Sequence, residues 1–133
     1  MLIAAACTAG EARILAEPRE FDPFRATPDA ILISPSEYKF DVGHNTAKAG
    51  TIQLVAGNIG KQKHEVVIVP VSEGRYGAPV AEIEAFGPQE RRGLKVDLAP
   101  GRYEFVCLLV SVEDGNAESH MALGMREPFE VVP

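Results

Sequence analysis

The apolar residues of this sequence come in short runs that glycine and proline interrupt, and helical periodicity is nowhere sustained. The segment TIQLVA at residues 51–56 alternates polar and apolar side chains, as a half-buried strand does. The segment EVVIVPV at residues 65–71 is β-branched and nearly all apolar, which is typical of a strand buried on both faces. Many short strands separated by turn residues predict an all-β fold, an antiparallel sandwich or barrel.

We predict about seven to eight strands. The clearest are residues 30–33, 38–42, 51–56, 65–71, 93–98, 102–109 and 128–132. Residues 81–85 follow Pro79 and are predicted to form a short helical turn, because proline is tolerated at a helix start.

Length and charge limit the classes of function. A chain of 133 residues matches one domain, which we place at residues 30–133. The net charge of −6 argues against a general nucleic-acid binder, which would be basic. No apolar run approaches the roughly 18–20 residues that span a bilayer.

The first 29 residues are predicted to lie outside the domain. Residues 1–10 carry no charged side chain, and Ile3 to Cys7 resembles a bacterial lipobox, whose cysteine is lipidated and anchors the protein to a membrane. The alternative is a frayed apolar end with no targeting role. Pro18, Pro23 and Pro28 predict that residues 11–29 form either a tether or an irregular segment laid over the domain, because proline interrupts a helix.

Four side chains together have the chemistry of a soft metal site: His64, Cys107, His120 and Met125. Each has an ordinary alternative, since a strand histidine or a free cysteine is more often a core residue. As a set, two imidazoles, one thiolate and one weak thioether are the donors of a blue-copper centre. Such a set suits a metal that changes charge by one with little ligand movement.

Three motifs, in order, resemble those of the cupredoxin family over about residues 37–133. Gly50-Thr51 followed by Asn58-Ile59-Gly60 and His64-Glu65 is similar to the motif aGt…NxGxxxHE, which supplies the first histidine ligand. The segment from Leu98 to Cys107 is similar to LxPGxYxxxC, which supplies the cysteine. His120 to Met125 resembles HxxxGM. The resemblance implies a Greek-key sandwich that binds one copper ion per chain.

The resemblance also implies roles for neighbouring residues. Asn58 is expected to join the two ligand loops by side-chain hydrogen bonds and so to orient His64. Tyr103 resembles a tyrosine-corner residue whose hydroxyl holds the adjacent loop. Gly124 is expected to allow a backbone conformation that a Cβ would obstruct. His44 matches no family position and is interpreted as a surface residue.

One feature departs from the family pattern. Cupredoxins place only a few residues between the cysteine and the second histidine, whereas here twelve, Leu108 to Ser119, intervene. Lengthening a loop costs little, about 0.6 kcal/mol per doubling, so the site can persist. The flexible Gly115-Asn116 pair leaves open a more exposed metal or a tilted cysteine–copper axis.

The functional prediction is an electron carrier, not an enzyme, that works as a monomer in the periplasm or elsewhere outside the cytoplasm. The alternative is copper storage or delivery with the same ligands, and a metal-free adhesion domain would leave the four donors unexplained. Electrons are expected to leave by the edge of His120, framed by Met121 to Leu123. Acidic Glu113, Asp114 and Glu118 then predict a redox partner with a basic docking face.

Overall fold

The computed structural model describes residues 11–133, so the lipobox-like segment with Cys7 lies outside the described residues. The described part holds thirteen strands and one short 3-10 turn. The strands are β1 Ile14–Phe21, β2 Ile31–Ser36, β3 Lys39–Val42, β4 Thr46–Lys48, β5 Gly50–Gly57, β6 His64–Ser72, β7 Arg75–Tyr76, β8 Ala81–Phe86, β9 Arg91–Leu98, β10 Gly101–Val106, β11 Val110–Glu113, β12 Asn116–Ser119 and β13 Arg126–Val132. Among these residues no helix has the length and apolar character needed to cross a membrane.

The strands form two large sheets and a separate hairpin. One sheet has the order β1-β9-β5-β2-β3, and the other has the order β4-β13-β10-β6-β7 with β8 paired to β6. Most pairs are antiparallel, but β2 with β5 and β13 with β4 are parallel. The predicted all-β sandwich is confirmed, with more strands than the seven or eight expected.

The core lies between the two large sheets and follows from the alternation of side chains along each strand. In β2, Ile31 and Ile33 are buried while Leu32 between them is exposed. They share one buried cluster with Leu54 of β5 and Phe105 of β10. One continuous apolar cluster therefore joins both sheets.

The prediction of a helical turn at residues 81–85 is wrong. This segment is β8, which pairs antiparallel with β6 and buries Ala81, Ile83 and Phe86. Glu82 and Glu84 alternate with them on the exposed face. The period of two therefore outweighs the helix-start signal of the preceding proline.

Residues 14–21, predicted to be irregular, form the edge strand β1 on β9. Pro18 lies at a shift in the pairing register between Ala16 and Arg19. Proline is tolerated at such a place, because an edge strand need not donate every backbone N–H. At Gly93 the two strands come so close that a Cβ would lie 2.6 Å from the Phe21 carbonyl oxygen.

The insertion is a hairpin and not a loose loop. Strands β11 and β12 pair from Val110 with Ser119 to Glu113 with Asn116. Asp114 and Gly115 form the turn with φ of 51° and 80°. Positive φ at both central residues is the signature of a type I′ turn, which suits the twist of a two-residue hairpin. Strand β10 ends at Val106, three residues earlier than predicted.

Candidate metal centre

The topology brings the four predicted ligands to one end of the sandwich. His64 begins β6, and Cys107 follows the last residue of β10. Because these strands are antiparallel neighbours, with Val67 opposite Val106, the start of one meets the end of the other. His120 and Met125 lie in the turn between the hairpin and β13.

Three of the side chains form a compact buried cluster. One donor atom from each of His64, Cys107 and His120 lies within 4.8 Å of the other two. The Cys107 Sγ is 3.6 Å from His120 Nδ1, and the two imidazole centroids are 5.3 Å apart. All three residues are at most 2% exposed, so the insertion covers the cluster and does not open it.

Met125 is tied by its backbone to both neighbouring ligands. The Cys107 N–H donates to the Met125 carbonyl, and the Met125 N–H donates to the His120 carbonyl. Its side chain is fully buried in the same apolar cluster as Cys107. Gly124 has φ of 130°, and a Cβ there would lie 2.8 Å from the Tyr38 carbonyl oxygen. The turn that carries Met125 thus requires a glycine at this position.

His64 is oriented by a carboxylate. Its Nε2 contacts the Glu37 Oε2, and the other Glu37 oxygen accepts a 2.6 Å hydrogen bond from the Lys61 N–H. Burial opposes ionisation of Glu37, but these hydrogen bonds outweigh it and lower the pKa of the carboxyl. The anion holds the imidazole proton on Nε2.

The other ring nitrogen of His64, Nδ1, is buried and has no hydrogen-bond partner. An orphaned buried ring nitrogen is costly, and native structures rarely keep one without a purpose. With the proton held on Nε2, Nδ1 carries a free lone pair. It is suited to bind a metal ion.

His120 is oriented by a chain of neutral groups. The Ser111 hydroxyl donates to Gln62 Oε1 at 3.0 Å, so its oxygen accepts the His120 Nε2–H at 2.6 Å. The Gln62 amide in turn donates to the Tyr38 hydroxyl. The lone pair of His120 therefore lies on Nδ1, the atom facing the Cys107 sulfur. Burial, with the nearby His64, lowers the pKa of His120 and keeps the ring neutral.

Burial raises the pKa of the Cys107 thiol, although backbone hydrogen bonds partly oppose the shift. The thiol is therefore protonated at neutral pH in the metal-free protein, and a metal ion must displace that proton. The Leu108 N–H donates to Glu65 Oε1 at 3.1 Å. This bond links the residue after the cysteine to the residue after His64.

The remaining predicted residues lie at different distances from the cluster. Asn58 holds its own loop: it donates to the carbonyls of Gln62 and Phe86 and accepts from the Gly60 N–H. The segment around His64 is joined to the segment after Cys107 by two other hydrogen bonds, from Ser111 to Gln62 and from the Leu108 N–H to Glu65.

Tyr103 lies near the start of β10, whereas Cys107 follows the last residue of that strand. Its hydroxyl donates to the Ala99 carbonyl at 2.7 Å and accepts from the Arg13 N–H at 2.9 Å. His44 is exposed in the loop between β3 and β4.

The sequence patterns do not identify Glu37, Gln62 or Ser111 as site residues. Glu37 lies 27 residues from His64 along the chain and meets it only through the sheet topology. Gln62 lies inside the first motif at a position the motif leaves free. For Ser111 the one available signal is that it is a hydroxyl residue among the valines of the insertion.

Comparison with solved structures shows which known fold this architecture resembles. The chain superposes on auracyanin from Roseiflexus castenholzii with a TM-score of 0.64 and 22% identity, covering 81% of this chain and 100% of the other. Auracyanin A, a "blue" copper protein from Chloroflexus aurantiacus, gives a TM-score of 0.58 and 21% identity over 77% and 97%. The chain has the cupredoxin fold.

More distant members of the fold also superpose. Amicyanin from Paracoccus versutus matches with a TM-score of 0.51 and 14% identity, covering 91% of this chain and 97% of the other. No protein-family model matches the sequence, and no curated protein matches it by sequence. The cupredoxin fold of this chain is therefore supported by the structural superpositions together with the three short sequence motifs.

The donor set of this cupredoxin-fold chain fits one copper ion. His120 Nδ1 lies 3.6 Å from the Cys107 sulfur, His64 Nδ1 is buried without a hydrogen-bond partner, and the buried Met125 belongs to the same apolar cluster as Cys107. Thiolate and thioether donors favour Cu(I), and imidazole accommodates both oxidation states of copper.

Proposed function

We propose that the protein is a mononuclear blue copper protein that carries single electrons between redox partners outside the cytoplasm. The observation that carries the proposal is the buried cluster of His64, Cys107 and His120, in which His120 Nδ1 lies 3.6 Å from the cysteine sulfur and His64 Nδ1 is buried without a hydrogen-bond partner. Copper, when bound, supplies the one-electron couple. The chain supplies donors held on three adjoining segments of a rigid sandwich.

The burial of the ligands favours transfer over catalysis or storage. A catalytic metal needs an open position for a substrate, and a delivery site needs an accessible route for exchange of the ion. Here the three side chains are at most 2% exposed, and the hairpin covers the ring of His120. A copper-storage role with the same ligands is the second candidate, and it predicts tight binding without colour.

The test is an absorption spectrum after addition of one equivalent of Cu(II). We expect an intense visible band from thiolate-to-copper charge transfer, which Cys107→Ser abolishes. Cys7→Ser is the matched control, because Cys7 is the other cysteine of the chain and should leave the band intact. A colourless tight complex would favour storage, and full colour in the Cys107 variant would overturn the assignment.

We further propose that the protein works as a monomer beside a membrane, anchored through lipidated Cys7, and meets a redox partner with a basic docking face. The lipobox-like sequence supports the anchor, and the acidic hairpin supports the partner. Mass spectrometry of the protein expressed with its natural upstream sequence tests the anchor. An unmodified Cys7 in the exported protein would refute it.

A further inference from the structure

The imidazole of His120 has no free edge. The residue is 2% exposed, and its outer nitrogen is hydrogen-bonded to Ser111 of β11. Any electron that leaves by this ring must therefore cross the inserted hairpin or travel through the protein beside it. The hairpin therefore offers one surface to a partner, and the turn that follows His120 offers another.

The two faces of the hairpin differ in chemistry. Residues directly opposite each other in an antiparallel pair point to the same side, and side chains alternate along each strand. Ser111 points inward to His120, so its neighbours Val110 and Val112 point outward. They are 57% and 69% exposed. Ala117, opposite Val112, is exposed on the same side. We call Val110, Val112 and Ala117 the hairpin face.

The hairpin is acidic, but its charges lie beside the hairpin face and not on it. Asp114 is in the turn, while Glu113 and Glu118, the latter opposite Ser111, point to the Ser111 side, and all three are exposed. Residues 108–119 contain no lysine or arginine. An apolar face on an acidic hairpin is complementary to a protein surface that combines an apolar centre with basic residues around it.

We propose that the hairpin face is the docking surface for a redox protein with a basic rim, and that the Ser111 hydroxyl links it to His120. The proposal rests on the proposed function. With copper bound, the site would take one electron from a reduced partner or give one to an oxidised partner. No covalent bond is made or broken, and no proton moves. The proposed electron path runs from the His120 ring through its 2.6 Å hydrogen bond to the Ser111 hydroxyl, and then along the covalent backbone of β11.

A competing surface is formed by the turn that follows His120. It consists of Ala122 and Leu123, which are exposed, whereas Met121 packs against the buried cluster of Val67, Val69 and Val106. This surface has no acidic residue between His120 and Met125. The charge on the hairpin therefore favours the hairpin face for a basic partner.

The experiment compares Val112→Ser with Leu123→Ser, one exposed apolar side chain from each surface. The probe is a basic c-type cytochrome, and the readout is the second-order rate of electron transfer to the copper-loaded protein at low salt. We expect Val112→Ser to slow the reaction by about fivefold or more and Leu123→Ser by less than twofold. An equal effect of both, or the reverse order, would overturn the proposal.

A second readout does not depend on the rate. In NMR titrations of the reduced protein with the same cytochrome, we expect shifts at the amides of Val110, Val112 and Ala117. Shifts confined to Ala122 and Leu123 would contradict the proposal.

Failure of the proposed function is visible separately, because it shows as the lack of a charge-transfer band in the parent protein. Both serine variants must keep the band and the parent reduction potential. The substituted side chains are exposed, so the core is unchanged.

Discussion

The imidazole centroids of His64 and His120 lie 5.3 Å apart in the same buried cluster, yet their Nε2 atoms contact different acceptors. That of His64 contacts the carboxylate of Glu37, in the turn between β2 and β3 of the sandwich. That of His120 contacts a hydroxyl, Ser111, on the inserted hairpin. One imidazole is held by an anion of the framework and the other by a neutral group of the insertion.

This difference indicates a division of roles between the two histidines. A carboxylate that accepts the imidazole N–H makes the other ring nitrogen a stronger metal ligand. It also restrains the ring more firmly than a hydroxyl does. His64 is therefore expected to hold the metal, whereas His120 is expected to connect it to the surface. The predictions below test this division.

Removal of the Glu37 carboxylate should have the largest effect. Glu37→Ala leaves the His64 Nε2–H without its acceptor, and loss of such a partner lowers metal affinity by about 10–100-fold. Competition with a Cu(I) chelator measures it. Glu37→Gln keeps an acceptor without the charge and should recover part of the affinity. Equal affinity in all three proteins would show that Glu37 does not orient His64.

Gly60→Ala should reproduce part of this loss while leaving both Glu37 and His64 unsubstituted. A Cβ at Gly60 would lie 2.1 Å from Glu37 Oε2 and 3.0 Å from His64 Nε2, so the carboxylate must move. We expect a drop in Cu(I) affinity of up to about tenfold. Gly74→Ala is the control, since a Cβ there meets nothing within 4 Å, although its positive φ adds some strain. An unchanged affinity for Gly60→Ala would argue against the Glu37 contact.

Ser111→Ala should reduce Cu(I) affinity less than Glu37→Ala does, by a few-fold. A neutral hydrogen bond contributes about 1 kcal/mol, roughly half of a charge-assisted one. Ser111→Thr retains the hydroxyl and should behave as the parent protein. The same chelator competition decides, and a loss larger than that of Glu37→Ala would reverse the proposed division of roles.

The metal-free protein should lose stability on both sides of neutral pH. Burial lowers the pKa of His120 below its unfolded-state value of about 6.5, so the unfolded chain binds a proton more readily. The free energy of unfolding is therefore highest above about pH 6.5 and decreases as the pH falls toward the folded-state pKa. Burial raises the pKa of Cys107 above its unfolded-state value of about 8.5, so the unfolded chain loses the thiol proton more readily. The free energy of unfolding therefore decreases as the pH rises from about 8.5 toward the folded-state pKa. Urea unfolding across this range measures both, and Cys107→Ala should remove the alkaline loss alone.

The sequence predicted the fold class and the ligand cluster because both depend on local patterns. Alternation and turn residues mark strands, and the spacing of His64, Cys107, His120 and Met125 lies within short motifs. The segments predicted wrongly show the limits of local signals. At residues 81–85 proline suggested a helix, and at residues 14–21 it suggested a tether or an irregular segment, but pairing with β6 and β9 decided both.

The groups that orient the imidazoles could not be predicted, because they depend on contacts between distant segments. Glu37 reaches His64 across 27 residues, and Ser111 reaches Gln62 across 49. Neither contact has a spacing that a linear pattern records. The sequence likewise suggests a flexible loop for the insertion, whereas in the structure a type I′ turn connects the paired strands β11 and β12.

The hydroxyl of Tyr103 has a consequence for the orientation of the molecule. It binds the Arg13 N–H and so holds the incoming chain beside the start of β10. Cys107 lies four residues farther on, or about 13 Å at the rise of an extended strand. Whatever precedes residue 11 is thus attached at the opposite pole from the cluster. A chain tethered from that pole would present its hairpin end outward, where a diffusing partner could meet it from any side.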